Sequence, residues 1–219
     1  LVNAPASEQV NILFVGNSKE TQEYSNYLLS NEPFATNRDK FNLYRIDKKS
    51  ECGKYKGIAL YCYSRELLGQ ASACPHDYII VLEDAPATIR ASAYMSVASI
   101  NTRLPKTVLL HEIGHLFSLD EEYDAGYNPG QNSPNCKSQC SQFSQAECYQ
   151  ECSDGAHLRS VDDGVMRTLS PANKDNPYGE YNKDYLSQKV TMPKTQISGF
   201  ATDGYATCAD ESYLLIEVN

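Results

Sequence analysis

His111-Glu112-Ile113-Gly114-His115 places two imidazoles and a carboxylate within five residues. On a helix the histidines lie at i and i+4, so both rings leave one face about a turn apart. That spacing suits two ligands of one tetrahedral zinc, each at about 2.0–2.1 Å. Glu112 projects about 100° further round the helix and reaches a water on the metal rather than the metal itself. Zinc lowers the pKa of such a water to about 7. A carboxylate beside it can take the proton and pass it to a leaving group.

A catalytic zinc takes a third protein ligand and keeps a fourth position open. The chain has four histidines, and the other two are His76 and His157. The segment after His115 supplies carboxylates instead: Asp120, Glu121 and Glu122, followed by Tyr123. Three negative charges sit poorly at a helix C-terminus, which points to a cation nearby. A different plan would draw the third ligand from a later helix. Its candidates are Glu147, Glu151 and Glu180, none with an apolar helical pattern around it.

The motif needs a buried helix to hold it. Leu104-Pro105 marks a start, since Pro is tolerated in a first turn. Val108, Leu109, Leu110, Ile113, Leu116 and Phe117 then wrap the helix in apolar side chains. Histidines in such surroundings need partners for their polar atoms. Upstream, Val10–Val15 reads as a strand, Lys19–Ser30 as an amphipathic helix and Phe41–Ile46 as a second strand. Glu66–Ala73 reads as a helix, Tyr78–Leu82 as a buried strand and Ala91–Ile100 as the strand before the zinc helix. This β-α-β-α-β order predicts an α/β sandwich with a mixed twisted sheet. The strand before the zinc helix, if it forms a sheet edge, can bind an extended peptide through its backbone.

Asp124 to Gly164 is rich in Gly, Pro, Asn, Ser and Gln and reads as an insertion. Within it, Cys136, Cys140, Cys148 and Cys152 form a symmetric block. Two short antiparallel helices would join Cys136 to Cys152 and Cys140 to Cys148; a four-thiolate structural zinc is the competing arrangement. Of the other cysteines, Cys52–Cys62 makes a local loop, which leaves Cys74–Cys208. Asn173–Tyr185 reads as a loop leading into a short helix, and Tyr213–Val218 as a last strand or a link to a further module. Eight cysteines without an iron–sulfur or haem pattern imply disulfides and an oxidising, extracellular compartment.

A chain of 219 residues is long enough for one domain with a full core. Its parts are a sheet and zinc helix over 10–123, the insertion over 124–164 and a C-terminal part over 165–219. No apolar stretch is long enough to span a membrane. The chain starts at Leu1 with no signal peptide, as a mature or trimmed form would. A net charge of −9 with no basic run argues against nucleic acid as a partner.

Beyond the pentapeptide, the motif is similar to the metzincin peptidases, whose H-E-x-x-H-x-x-G-x-x-H signature turns at the Gly and returns its last residue to zinc. Counted along this chain, Ser118 stands at the Gly position and Glu121 at the ligand position. Glu121 is thus favoured over Asp120 and Glu122, although Ser adopts the left-handed backbone less readily than Gly. Metzincins floor the site with a methionine in a turn, and Gly164-Val165-Met166-Arg167 is the best match. Where some carry a Tyr two residues on, this chain has Thr168, so an oxyanion donor must come from elsewhere; Tyr123, Tyr178 and Tyr181 are candidates.

Val10-Asn11-Ile12-Leu13-Phe14-Val15-Gly16, Tyr78-Ile79-Ile80-Val81-Leu82 and His111 to Tyr123 with its Glu-Glu-Tyr ending resemble the immunoglobulin-A-cleaving metallopeptidase family. Asn17 departs from the Asp-Gly expected after Gly16, and the run from His115 to Glu-Glu-Tyr is a residue shorter than the family form. The resemblance implies a metzincin-like zincin domain but not immunoglobulin A as substrate. The expectation is a secreted zinc endopeptidase. His111, His115 and Glu121 would bind zinc, Glu112 would activate the water, Met166 would floor the site, and a protein or peptide would be the substrate. The alternative is a non-catalytic protein- or matrix-binding module on the same fold, for which Glu112 would have no physical use.

Overall fold

The structure, a computed structural model, describes residues 5–144, 147–192 and 213–215. It opens with strand β1 (Val10–Val15), buried at every position. Alternate side chains of a strand point to opposite faces, and here each face has its own core. Ile12 and Phe14 pack with Leu28, Leu43, Leu109 and Ile113. Leu13 and Val15 pack with Ile46, Leu67, Ile79 and Val81. A strand covered on both sides must read as a continuous apolar run, and β1 does.

Helix α1 (Ser18–Leu28) comes next, capped by Asn17, whose Oδ1 accepts the Glu20 N–H at 2.9 Å. Asn is among the strongest N-cap residues, so Asn17 has a local task in starting the helix. Strand β2 (Phe41–Ile46) is the next element of the sheet, then a hairpin of β3 (Gly53–Tyr55) and β4 (Ala59–Tyr61). The Cys52–Cys62 disulfide closes this hairpin. Helix α2 (Arg65–Ala71) leads to β5 (Tyr78–Glu83). The stretch expected as one strand is two, β6 (Ser92–Tyr94) and β7 (Val97–Asn101). Between them Met95 takes a positive φ of 55°, so the chain reverses there and the strands pair antiparallel.

Helix α3 (Thr107–Leu116) carries the histidines. It begins two residues after Pro105, within the usual scatter of helix boundaries. The insertion holds β8 (Cys136–Lys137), β9 (Tyr149–Cys152) and β10 (Asp154–Arg159) in a small sheet of order β8-β10-β9. Helix α4 (Glu180–Thr191) and strand β11 (Tyr213–Leu215) complete the described chain.

The main sheet runs β11-β2-β1-β5-β7-β6. Its four inner strands are parallel, and antiparallel strands close both ends, β6 on β7 and β11 on β2. The fold is therefore mixed α/β around a mixed sheet, as expected. In the insertion the disulfides Cys136–Cys152 and Cys140–Cys148 form as expected, but not on helices. Cys136 and Cys152 lie on strands, and Cys140 opens a single 3₁₀ turn, Cys140–Gln142. Spacing of four residues fits a helix face, yet this segment has no apolar stripe to bury one. Cys74 is disulfide-bonded, while Cys208 and the pairing of Cys74 with it lie outside the described residues. Among the described residues, no helix is long and apolar enough to cross a membrane.

Candidate metal centre

Helix α3 ends in a backbone pattern that sets the path of the chain beyond it. Ser118 has φ +71°. Its N–H donates to His115 O at 2.9 Å and the Leu119 N–H donates to Gly114 O at 2.9 Å, the two bonds of a Schellman stop. Ser thus takes the left-handed turn that Gly takes more readily, at roughly 1–2 kcal/mol for a residue with a Cβ. The turn exposes Leu119 O to the helix it has just left, and His115 Nδ1 meets that oxygen at 2.8 Å.

His111 is oriented from elsewhere. Its Nδ1 lies 2.8 Å from Val165 O, in a turn where Arg167 and Thr168 N–H groups both donate to Gly164 O. With each Nδ1 proton given to a carbonyl, each Nε2 faces inward and becomes a metal ligand once it carries no proton of its own. The two Nε2 atoms are 3.1 Å apart. Glu121 Oε2 lies 3.2 Å from His111 Nε2, and its Oε1 3.4 Å from His115 Nε2. Ligands at about 2.0–2.1 Å on a tetrahedral zinc stand roughly 3.3–3.4 Å from one another. Three electron-pair donors therefore converge at metal-ligand separations, and Glu121 Oε2 is buried without a hydrogen bond. Groups drawn this close need positive charge among them, a proton or a metal, and the buried His111-His115-Glu121 group could hold a metal ion.

The protonation tendencies carry the same message. Burial pulls both histidines down, yet the Glu121 carboxylate beside them prevails, and His111 rises to about 9. Burial raises Glu121, but the two histidines hold it far below the usual carboxylate range. Glu112 is buried on the next helix position and is raised, first by burial and then by the Glu121 charge, with His111, His115 and Arg90 opposing.

Glu121 is held by the insertion. Its carbonyl oxygen accepts from Ser153 N–H at 2.8 Å and Ser153 Oγ at 3.2 Å, and Cys136 Sγ lies 3.5 Å away. Ser153 directly follows Cys152, so the Cys136–Cys152 bond brackets the backbone of the third donor. Ser153 is itself fully buried at φ +62°.

The acidic trio divides three ways. Asp120 donates its N–H to Asn135 Oδ1 at 2.8 Å. Glu122 does not line the cleft; it is fully buried, and Asn182 and Asn135 donate to its Oε1 at 2.8 and 3.2 Å. Burial there pushes its carboxyl up to about 7 against those two hydrogen bonds and the charges of Arg159 and Arg167. Of the three, only Glu121 joins the histidines. Glu147 instead pairs with Tyr149 and Glu180 with Lys183.

Met166 is fully buried beneath α3. A methyl group on Gly114 would overlap Met166 Sδ, so this glycine lets helix and turn approach closely. The Met166 carbonyl also accepts the Glu122 N–H at 3.0 Å, which ties the turn to the third donor's neighbour. Of the three tyrosines named as oxyanion donors, Tyr123 alone lines this cavity, together with Glu121. Tyr178 is fully buried and donates to Leu110 O. Tyr181 packs edge-on against Phe143.

The cavity beside the metal group is lined by Ala91, Ser92 and Ala93 from β6 and its approach, by Val108 from α3, and by Thr168 and Leu169 after the turn. Ser153, Asn135 and Asn182 escaped sequence reasoning, as did Arg90 and Arg167 at the cavity. Only Ser153 carried a signal, its place beside Cys152. No known protein family matches the chain, and no curated protein matches it.

Proposed function

We propose that this chain is a secreted zinc endopeptidase of metzincin type, related to the immunoglobulin-A-cleaving metallopeptidases. His111, His115 and Glu121 hold the metal through Nε2, Nε2 and a carboxylate oxygen. The observation that carries the proposal is that two imidazole nitrogens and a carboxylate converge with Glu112 at their side in a cleft bordered by an end strand. A bound zinc supplies Lewis acidity toward a peptide carbonyl and water acidified to a pKa of about 7.

The chain's own groups do the rest. Glu112 takes the proton of the attacking water on its carboxylate and delivers it to the leaving nitrogen. It lines the same cavity as the three donors, where both halves of that transfer would take place. Strand β6 ends the sheet and can align an extended peptide by backbone hydrogen bonds. The Tyr123 phenol, raised by burial and by the Glu121 charge, stays protonated and can donate to a developing oxyanion. Disulfides support an oxidising compartment.

The test is cleavage of a diverse peptide library by zinc-loaded protein beside Glu112→Ala. Turnover by the wild type, reduced at least about 10²-fold in the variant while zinc stays bound, is the expected result. Equal turnover by both would remove Glu112 from the reaction. No cut by protein carrying one zinc would favour a binding module.

A further inference from the structure

In a chain with 28 acidic and 19 basic residues, a cleft lined by chance should be poor in unpaired cations. The cavity beside the metal group, about 320 Å³, departs from this. Its carboxylates, Glu112 and Glu121, belong to the metal group, while Arg90 and Arg167 line its wall. Arg167 is already engaged: its Nη1 donates to Asp162 O at 2.8 Å, with Asp162 Oδ1 at 3.6 Å. Arg90 differs. Its backbone is fixed, the N–H donating to Ile58 O at 3.0 Å and the carbonyl accepting from Leu60 at 2.8 Å. Its residue is exposed, and among the described residues no carboxylate pairs with its guanidinium.

The rest of the wall raises the worth of that charge. Leu104, Val108 and Leu169 are apolar and offer no carboxylate to compete, so an anion drawn to this wall meets a guanidinium without an acidic partner. A guanidinium offers a planar fork that matches a carboxylate in two hydrogen bonds. Arg90 also sits two residues ahead of β6, the strand that would carry a peptide past the metal, and lines the same cavity as His111, Glu112 and His115, so what it grips lies in the cleft where the bond would be cut.

We infer that this cleft takes substrates with a carboxylate beside the scissile bond and that Arg90 is the residue that holds it. The inference rests on the peptidase reading, so its test reads binding as well as cleavage. Matched fluorescent peptides carry one Glu, Gln or Lys, moved along the sequence. Their affinity is measured for the zinc-loaded Glu112→Ala protein and for metal-free wild type, and their cleavage for the zinc-loaded wild type. Separate arms carry an internal Glu with an amidated C-terminus, or a free C-terminal carboxylate alone. Whichever arm binds better names the source of the carboxylate.

The Glu peptide should bind roughly fivefold to tenfold more tightly than the Gln peptide, a range between exposed ion pairs and charged hydrogen bonds. The effect should appear in KM more than in kcat and shrink as salt is raised. Arg90→Ala should bring the Glu-to-Gln ratio to about one, Arg90→Lys should keep part of it, and Arg90→Glu should turn the preference to Lys. Equal binding of all three peptides by wild-type protein, or an acidic preference that survives Arg90→Glu, would overturn the assignment. A carboxylate preference in binding with no cleavage at all would support Arg90 and remove the peptidase reading instead.

Discussion

Two regions of this molecule build one group that could hold a metal, and they do so by different physics. The sheet and α3 are held by apolar burial: Leu109, Leu110 and Ile113 are nearly inaccessible and pack on β1 and its neighbours. The insertion has little of this. Between Asp124 and Gly164 its buried hydrophobic residues, among those described, are Cys136, Phe143, Cys152 and Val161. Its buried polar residues are Ser133, Asn135, Ser153, Arg159 and Ser160. Disulfides and side-chain hydrogen bonds replace a core there. The first region contributes two imidazoles on a rigid helix, and the second fixes the carboxylate that closes the group. A candidate metal centre can therefore be half set by packing and half by a cross-linked polar network.

The largest expected effect separates the donors from their support. His111→Ala removes a donor and should abolish stoichiometric zinc binding, measured by metal analysis after dialysis. Retained zinc at one per chain would place the metal elsewhere. Next comes the support. Replacing Cys136 and Cys152 by Ala frees a loop of 16 residues, worth about 3 kcal/mol by loop entropy, and loosens the clamp on the Glu121 carbonyl. Zinc affinity should fall roughly 10–100-fold, the range for outer-shell partners. Amides of β1, β5 and α3 should keep their hydrogen-exchange protection. Equal loss of protection in the main sheet would show that the two regions are one cooperative unit.

Protons and metal compete for the same atoms. In the metal-free protein His111 rises to about 9, so at pH 7 it holds a proton that metal binding must expel. Titration calorimetry at pH 7 in buffers of different ionisation enthalpy should count about one proton released per zinc. Affinity should climb with pH and level off above about 9. No release at pH 7 would mean that Glu121 does not hold His111 protonated. The smallest effect is at the junction between the regions. Ser118→Gly relieves a left-handed Ser but frees the unfolded chain, for a net gain of about 0.5 kcal/mol, whereas Ser118→Val should cost roughly 1–2 kcal/mol. Thermal unfolding of both variants measures this, and a stable Val variant would contradict the observed turn.

The asymmetry also explains what could be read from residues alone. Apolar runs and i, i+4 histidines have periods, so β1, β2, β5 and α3 were legible nearly to their ends. Glu121 was reachable only by counting, and Ser118 was an obstacle until its positive φ showed that the turn forms regardless. The cysteine pairs could be read from their symmetric spacing, but strands rather than helices carry Cys136 and Cys152, because spacing records distance and not conformation. Asn135, Asn182 and Ser153 act through single hydrogen bonds across long stretches of chain. Such contacts leave no periodic trace. Arg90 was equally silent, since one cation beside a cleft looks like any other until the cleft exists.

The most direct test is X-ray absorption on the protein loaded with one zinc. The edge and extended fine structure should fit only nitrogen and oxygen neighbours at about 2.0–2.1 Å, with the outer-shell pattern of two imidazoles. A sulfur shell near about 2.3 Å would put the metal on cysteines and contradict the His111-His115-Glu121 centre.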